Sequence, residues 1–418
     1  MTPELVRKVS SRLVPILFAG YVVAYLDRIN VSFAKLAMAK GLGFDDRVYG
    51  IGAGIFFIGY FAAEIPSNVV MHAVGARRWL ARIMITWGLL SAVTLWVREP
   101  WHFYGLRFVL GLAEAGFFPG VILYLTYWYP ASFRGQWTAT FMTAIPLSGV
   151  IGAPMSGLLM KSLDGTWGWA GWQWMFLVEA VPAVLLGFVI LRYLDDGIDD
   201  AEWLSRQEKD ALHAAIAAEN ATRAELPLGA ALRTPLLWGF AVLYFCVITG
   251  LYGVGFWLPT IITAMGVKDT FEVGLLTAIP HAAAAVSMVL VSRSADRREE
   301  RRWHLVLPLV AAAAGIGAST LLSARPALAI AALTVGTAGV ITALPNFWAL
   351  PTRAFQGKAA AGGIALVNAL GNLAGFVAPY VVGWLKETTH ATSAGMLFLT
   401  AMLAIGAGLA YVLARPPP

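Results

Sequence analysis

Cysteine and charged side chains are both scarce in this chain of 418 residues. The single cysteine, Cys246, excludes an internal disulfide framework and a cysteine-based metal site. Charged residues make up 13% of the sequence and hydrophobic residues 59%, whereas a soluble domain carries about 25% charged residues. A soluble fold could not keep so much apolar surface out of water. The composition therefore predicts a protein whose solvent is largely lipid.

Enzyme and nucleotide motifs are missing as well. The sequence has no G-x-x-x-x-G-K-[ST] phosphate loop and no H-E-x-x-H pair, so direct use of ATP and a metal centre are not expected. We expect no cofactor and no enzymatic activity. The net charge of +6 comes from basic residues at helix ends, which indicates orientation in a membrane rather than binding of nucleic acid.

Long apolar segments fill the rest of the chain. A spanning helix needs about 20 apolar residues, and the sequence predicts an all-α membrane protein with twelve such helices. They fall at 13–38, 49–73, 79–97, 102–126, 136–160, 173–192, 235–262, 271–292, 304–323, 326–348, 360–385 and 391–414.

Basic residues concentrate in alternate loops, for example at Arg77 and Arg78, at Arg206 and Lys209, and in the stretch 293–302. Cytoplasmic loops are rich in Lys and Arg, so we expect cytoplasmic N- and C-termini in an inner (plasma) membrane. The first apolar segment lacks a small-residue cleavage site, and we interpret it as a retained helix rather than a signal peptide.

A polar stretch at 193–233 divides the spans into six and six. We predict an N-terminal bundle (1–192), a cytoplasmic linker (193–233) with a short amphipathic helix opened by the capping box Ser205-x-x-Glu208, and a C-terminal bundle (234–418). Small residues recur in segments 5 and 11, and basic loops follow segments 2 and 8. Such repeats indicate two pseudo-symmetric bundles of a transporter with a site between them, although Gly and Pro are common in membrane helices generally.

Charged residues inside the apolar segments carry most of the functional information, because a charge at mid-membrane costs about 2.5–3.5 kcal/mol on insertion scales. Asp27 and Arg28 lie deep in segment 1. Adjacent helical residues point about 100° apart, so each should have its own partner. Arg107 and Glu114 share a face of segment 4 at i, i+7. For both pairs a structural salt bridge is the alternative to a role in transport.

Other polar groups carry weaker signals. For Glu64 and Glu179 a packing role is favoured and a proton-linked role stays open. A hydrogen-bonded structural role is the default for His281, which follows Pro280. Hydroxyl and amide groups suited to oxygen-rich substrates, or equally to helix–helix hydrogen bonds, belong to Tyr60, Tyr252, Asn346 and Asn368.

Six stretches resemble the major facilitator superfamily, and specifically its anion:cation symporters. They are YLDRIN (25–30), GYFAAEIPSN (59–68), VGARRWLARIMITWG (74–88), RFVLGLAEAGFFPGVILYLTYWYP (107–130), GWQWMFLVEAVPAVLLG (171–187) and GNLAGFVAPYVVGWLK (371–386). The resemblance implies two six-helix bundles that rock about a central cavity. It departs at two points: the loop after segment 2 lacks the usual Asp, and His281 replaces an aromatic or apolar residue.

The resemblance also implies proton-coupled uptake of organic anions such as sugar acids, tartrate and aromatic acids. Asp27 and Glu114 match carboxylates linked to proton coupling, and Arg28 and Arg107 match the basic positions near them. Tyr60 and Asn368 match positions that line the substrate cavity.

From the residues and the resemblance together we expect a secondary active transporter that takes up a small organic carboxylate with protons by alternating access. An organic-anion exchanger or facilitator without proton coupling is the alternative. The expected partners are the anion, protons and the lipid bilayer, with no nucleic acid, and we expect a monomer. Asp27 and Glu114 are the proton-coupling candidates; the candidates for substrate binding are Arg28, Tyr60, Arg107, Tyr252, His281, Asn346 and Asn368.

Overall fold

Twelve helical spans in the computed structural model are long and apolar enough to cross a bilayer. The structure describes residues 2–130, 137, 140–221, 233–354 and 357–414. The predicted all-α membrane fold is confirmed, and the described residues include no strand. The helices are α1 (Pro3–Gly41), α2 (Asp46–Val74), α3 (Ala76–Val93), α4 (Pro100–Glu114), α5 (Phe117–Trp128), α6 (Ala144–Ser162), α7 (Gly171–Tyr193), α8 (Arg206–Ala221), α9 (Pro235–Ala264), α10 (Thr270–Arg297), α11 (Arg302–Leu321), α12 (Pro326–Ala354), α13 (Gly357–Asn372), α14 (Ala374–Thr389) and α15 (Thr392–Leu413).

The helix α8 lies between the six spans of the N-terminal half (α1–α7) and the six of the C-terminal half (α9–α15). Its predicted capping box is present: the Glu208 amide donates to Ser205 Oγ at 3.2 Å, and the Ser205 amide donates to Glu208 Oε2 at 2.8 Å. The Lys8 ammonium also donates to the Glu208 carboxylate at 2.8 Å and lowers its pKa. Residues 222–232 of the predicted linker lie outside the described residues.

The two halves pack along two helix pairs, α2 with α14 and α6 with α10. Glycine makes this close approach possible, because small residues allow two helix backbones to touch. A Cβ atom on Gly50 would lie 2.6 Å from the Pro379 carbonyl oxygen, and one on Gly157 would lie 2.3 Å from the Thr270 carbonyl oxygen. Both contacts are near the side of the α1–α2 loop, which we call the distal side. The halves are therefore tightly joined at that side.

At least two of the spans that the structure describes are interrupted. The span predicted over 102–126 is present as Pro100–Trp128, but it is not one continuous helix, because α4 ends at Glu114 and α5 begins at Phe117. Gly116 between them has φ +86°, and a Cβ there would lie 2.2 Å from Ser67 Oγ, so this position requires glycine. The span of segment 11 is likewise divided, between Asn372 and Ala374. Broken spans of this kind are typical of transporter sites, and the first break directly follows a buried carboxylate.

Candidate functional site

Buried charge is confined to the N-terminal half among the residues that the structure describes. Each of these side chains is at most 7% exposed, and burial without a partner would be costly. They are Asp27, Arg28, Lys35, Glu64, Arg107, Glu114 and Glu179.

An ion pair between α1 and α4 lies at the centre of this group. Arg28 Nε donates to Glu114 Oε1 at 2.7 Å, and Arg28 Nη2 lies 2.5 Å from the same oxygen. Glu114 is completely buried, and its second oxygen, Oε2, has no partner among the described residues. The carboxylate thus neutralises the arginine through one oxygen and keeps the other free to take a proton.

The guanidinium of Arg28 also reaches the C-terminal half. Its Nη1 donates to the Tyr252 hydroxyl at 3.1 Å. Aromatic rings surround the cation: the Arg28 Cζ atom lies 5.0 Å from the Tyr25 ring centroid and 5.2 Å from that of Tyr60, within the range of cation–π attraction. Arg28 is therefore held in place from both halves, with Nε, Nη1 and Nη2 each in a polar contact.

Asp27 has separate partners, as the angle between adjacent helical residues predicted. Its Oδ1 accepts hydrogen bonds from the Ser91 hydroxyl of α3 and from Asn30 Nδ2, the latter at 3.2 Å. No hydrogen bond or ion pair joins Asp27 to Arg28 in the described part of the chain. The carboxylate is thus anchored inside the N-terminal half, away from the interface.

Arg107 does not bond to Glu114, although the two share a helix. Its Nε donates to the Gly52 carbonyl at 3.3 Å, and its guanidinium lies over the Phe56 ring at 4.9 Å. Its Nη2 atom is buried and has no partner within the described ranges. Asp27 and Glu114 are the carboxylates whose charges reach it. Arg107 thus adds a positive charge near the Arg28–Glu114 ion pair without bonding to Glu114.

Two further carboxylates are each half-satisfied. Glu64 Oε1 accepts from Asn368 Nδ2 at 2.8 Å, a hydrogen bond between the two halves. Glu179 Oε1 accepts from the Ser156 hydroxyl at 2.6 Å, within the N-terminal half. In both residues the Oε2 atom is buried without a partner among the described residues. Each is able to carry a proton there.

A central cavity between the halves brings some of the predicted residues together. Both halves contribute polar side chains to its wall, namely Tyr25, Arg28, Ser148, Tyr252, His281 and Thr337. Of the predicted substrate-binding residues, Arg28, Tyr252 and His281 therefore line it. Tyr60 covers the Arg28 guanidinium, and Asn368 bonds to Glu64.

Asn346 lies away from this cavity. Its Oδ1 accepts from Arg301 Nη1 at 3.3 Å, and its Nδ2 donates to the Thr342 carbonyl at 3.0 Å. The amide is thus used on both sides by hydrogen bonds within the C-terminal half. This arrangement matches the helix–helix alternative for Asn346 rather than a place in the substrate site.

The sequence did not indicate a second charged cluster, at the distal side. Lys35 Nζ lies 2.6 Å from Asp46 Oδ1, and Lys386 Nζ lies 3.0 Å from Asp46 Oδ2. Lys35 also donates to the Thr260 hydroxyl at 3.3 Å and lies 4.0 Å from the Trp257 ring centroid. We call these residues the distal clasp, because they join α1 and α2 to α9 and α14. The spacing of seven residues from Arg28 to Lys35 was the signal available in the sequence.

Known proteins are similar to this chain in sequence and in fold. The model of the Major Facilitator Superfamily matches residues 17–379. A protein of Agrobacterium vitis named "Putative tartrate transporter" is 46% identical over 99% of this chain and 92% of its own length. The "Putative metabolite transport protein NicT" of Pseudomonas putida is 44% identical over 97% of this chain and 94% of its own length.

A solved structure agrees in fold. The inward-facing, occupied form of a bacterial homologue of the human lysosomal transporter Spinster superposes with a TM-score of 0.78 at 14% identity, over 97% of both chains. At that identity the likeness concerns the fold alone. The names of the relatives agree with the resemblance to organic-anion carriers that the sequence motifs indicated. The relatives and the matched family are transporters, not enzymes.

Proposed function

Because the chain belongs to the major facilitator superfamily of transporters, we propose that it takes up a small organic carboxylate together with protons by alternating access. Relatives named as tartrate transporters support a carboxylate substrate. The observation that carries the proposal is the pairing of Arg28 with Glu114 at the wall of the cavity. Arginine binds carboxylates through two parallel hydrogen bonds, and here a carboxylate of the protein itself occupies that position.

Exchange of partners at Arg28 provides the coupling. An unpaired buried arginine is costly, so Glu114 leaves the guanidinium only if another anion replaces it. A proton on the free Glu114 Oε2 neutralises the acid, and the substrate carboxylate then takes its place at Arg28. When the substrate departs, Glu114 loses the proton and pairs with Arg28 again. Proton binding and substrate binding thus favour each other.

Asp27 serves as a second proton acceptor in this scheme. Asp27 is buried and precedes Arg28 in the sequence, but it accepts hydrogen bonds from Ser91 and Asn30. Protonation of Asp27 therefore leaves the Arg28 interactions in place. The positive charge of Arg107 acts on both carboxylates. We propose that Asp27 and Glu114 share the proton-coupling task, since interacting carboxylates titrate as a pair.

Uptake by proteoliposomes tests the proposal. The purified protein is reconstituted, and a labelled carboxylate such as tartrate, gluconate or 4-hydroxybenzoate is offered with and without an inward proton gradient. Symport predicts accumulation above the external concentration only with the gradient. Counterflow at full rate with no effect of the gradient would instead identify an exchanger or facilitator.

Orientation belongs to the same proposal. The basic loops favour cytoplasmic termini and a distal side outside the cell. We further propose that the protein is a monomer in the inner membrane. Reporter fusions at Arg77, Arg206 and Arg297 should all report cytoplasm. An external signal at any of the three would overturn this map.

A further inference from the structure

His281 is the polar group that the C-terminal half presents to the cavity from α10. The ring is 7% exposed and lines the same cavity as Arg28. No carboxylate pairs with it among the described residues, and the Arg28 cation lies in the same wall. A charged imidazolium would therefore be uncompensated, so the ring is neutral.

One hydrogen bond fixes the tautomer of this neutral ring. His281 Nδ1 lies 2.9 Å from the Thr277 carbonyl oxygen. A carbonyl oxygen only accepts, so Nδ1 carries the hydrogen and Nε2 carries a lone pair. Nε2 has no hydrogen-bond partner in the described ranges, and the protein does not enclose it completely. It is thus open to whatever occupies the cavity.

The position of the ring is set from the other side by Gly149 of α6. A Cβ atom at Gly149 would lie 2.1 Å from His281 Cδ2 and 2.3 Å from its Cγ. The imidazole therefore lies against bare backbone, and its orientation is determined by Gly149 and the Thr277 carbonyl together. A ring held this way is suited to directional recognition.

A second group without a partner lies in the same wall. The Thr337 hydroxyl of α12 is buried and unbonded among the described residues. The cavity wall thus contains the Arg28 cation from the N-terminal half, and the His281 Nε2 acceptor and the Thr337 hydroxyl from the C-terminal half. A buried polar group without a partner is costly, which favours a ligand that brings one.

We propose that His281 Nε2 accepts a hydrogen bond from a hydroxyl group of the substrate, and so selects hydroxycarboxylates over the same acids without the hydroxyl. The Thr337 hydroxyl assists by donating to the oxygen of that group. The inference rests on the proposed function, since it assumes that Arg28 holds the carboxylate end of the same molecule. It adds a specificity-determining residue at the other end.

Matched pairs of acids test this selection by titration calorimetry on the purified protein. The pairs, each differing by one hydroxyl, are tartrate with malate, malate with succinate, and 4-hydroxybenzoate with benzoate. We expect the wild-type protein to bind at least one hydroxy acid about tenfold more tightly than its partner, roughly the effect of one hydrogen bond. His281→Gln, whose amide oxygen can replace Nε2, should keep that ratio within about threefold, because it preserves an acceptor.

His281→Phe should lower the ratio severalfold relative to wild type and His281→Gln, because only the Thr337 hydroxyl then meets the hydroxyl group of the substrate. A full ratio in His281→Phe overturns the inference. Equal affinities within every pair in the wild-type protein would also overturn the inference. That result requires no folded variant and leaves the proposed function intact. If no acid of either kind binds the wild-type protein, the proposed function itself fails.

Discussion

The two halves of the molecule share one helix arrangement but differ in what they bury. The N-terminal half encloses every buried Asp, Glu, Lys and Arg that the structure describes, whereas the polar side chains buried in the C-terminal half are neutral, such as Thr249, His281, Thr337 and Asn346. A six-helix bundle of this fold therefore needs no internal charge for its stability. Lys35 of the N-terminal half belongs to the distal clasp, and the charges around Arg28 and Glu114 require another reason, which transport provides in the proposed function.

This comparison also separates two tasks. In the proposed function, the N-terminal half holds the groups that exchange protons and anions, centred on the Arg28–Glu114 ion pair. The C-terminal half supplies hydrogen-bonding and aromatic groups, represented by His281 and by Tyr252, which bonds to Arg28. Substitutions in the first half should change coupling, and substitutions in the second should change which substrate is bound.

The largest effect is expected at Arg28. Arg28→Lys keeps the positive charge but loses the planar fork that meets Glu114 and the substrate, so carboxylate uptake should fall by about tenfold to a hundredfold. Arg301→Lys in the C-terminal half is the matched control, because Arg301 pairs with Asp296 and does not belong to the cavity wall. Its uptake should stay within about twofold of wild type. Equal losses in the two variants would remove the distinction between the halves.

A smaller effect, on stability, is expected at the distal clasp. Asp46→Asn leaves Lys35 buried without its carboxylate, and breaking a buried pair is destabilising. The melting temperature in detergent should fall by several degrees. Asp269→Asn is the control, because the Lys161–Asp269 pair at the other helix pair is partly exposed and such pairs contribute little. A larger fall in Asp269→Asn would contradict the importance of the clasp.

The smallest effect is expected at Glu64. Its Oε1 accepts from Asn368 across the halves, and Glu64→Gln keeps an oxygen for that hydrogen bond. If Glu64 packs the interface and carries no coupling proton, gradient-driven uptake should stay within about threefold of wild type, the loss of part of one hydrogen bond. Loss of accumulation with normal exchange would add Glu64 to the coupling residues and revise the division of tasks.

Much of the fold could be predicted from the sequence, because spanning helices depend on local runs of apolar residues such as 79–97 and 391–414. Arg28 and Glu114 could be singled out for the same reason, as costly exceptions to those runs. Their pairing could not be predicted, since it joins residues 86 positions apart. The break after Glu114 depends on the approach of Ser67 to Gly116, and the burial of Lys35 depends on Asp46 and Trp257. These are tertiary contacts without a local signature.

Glu114→Gln tests the central claim most directly. Glutamine keeps the shape of the acid but cannot give up or take a proton, so the cavity remains polar while the proton cycle stops. Expression, carboxylate binding, exchange and gradient-driven accumulation are measured on one reconstituted preparation, with Asp27→Asn beside it.

Glu114→Gln should be expressed, bind substrate and be loaded by exchange, but it should fail to accumulate substrate against its gradient. Asp27→Asn should behave alike if the two acids share the task, because interacting carboxylates titrate as a pair. Accumulation at the wild-type level by both variants would contradict proton coupling through these carboxylates. Failure of Glu114→Gln to fold, with Asp27→Asn fully active, would show that Glu114 is a structural partner of Arg28 instead.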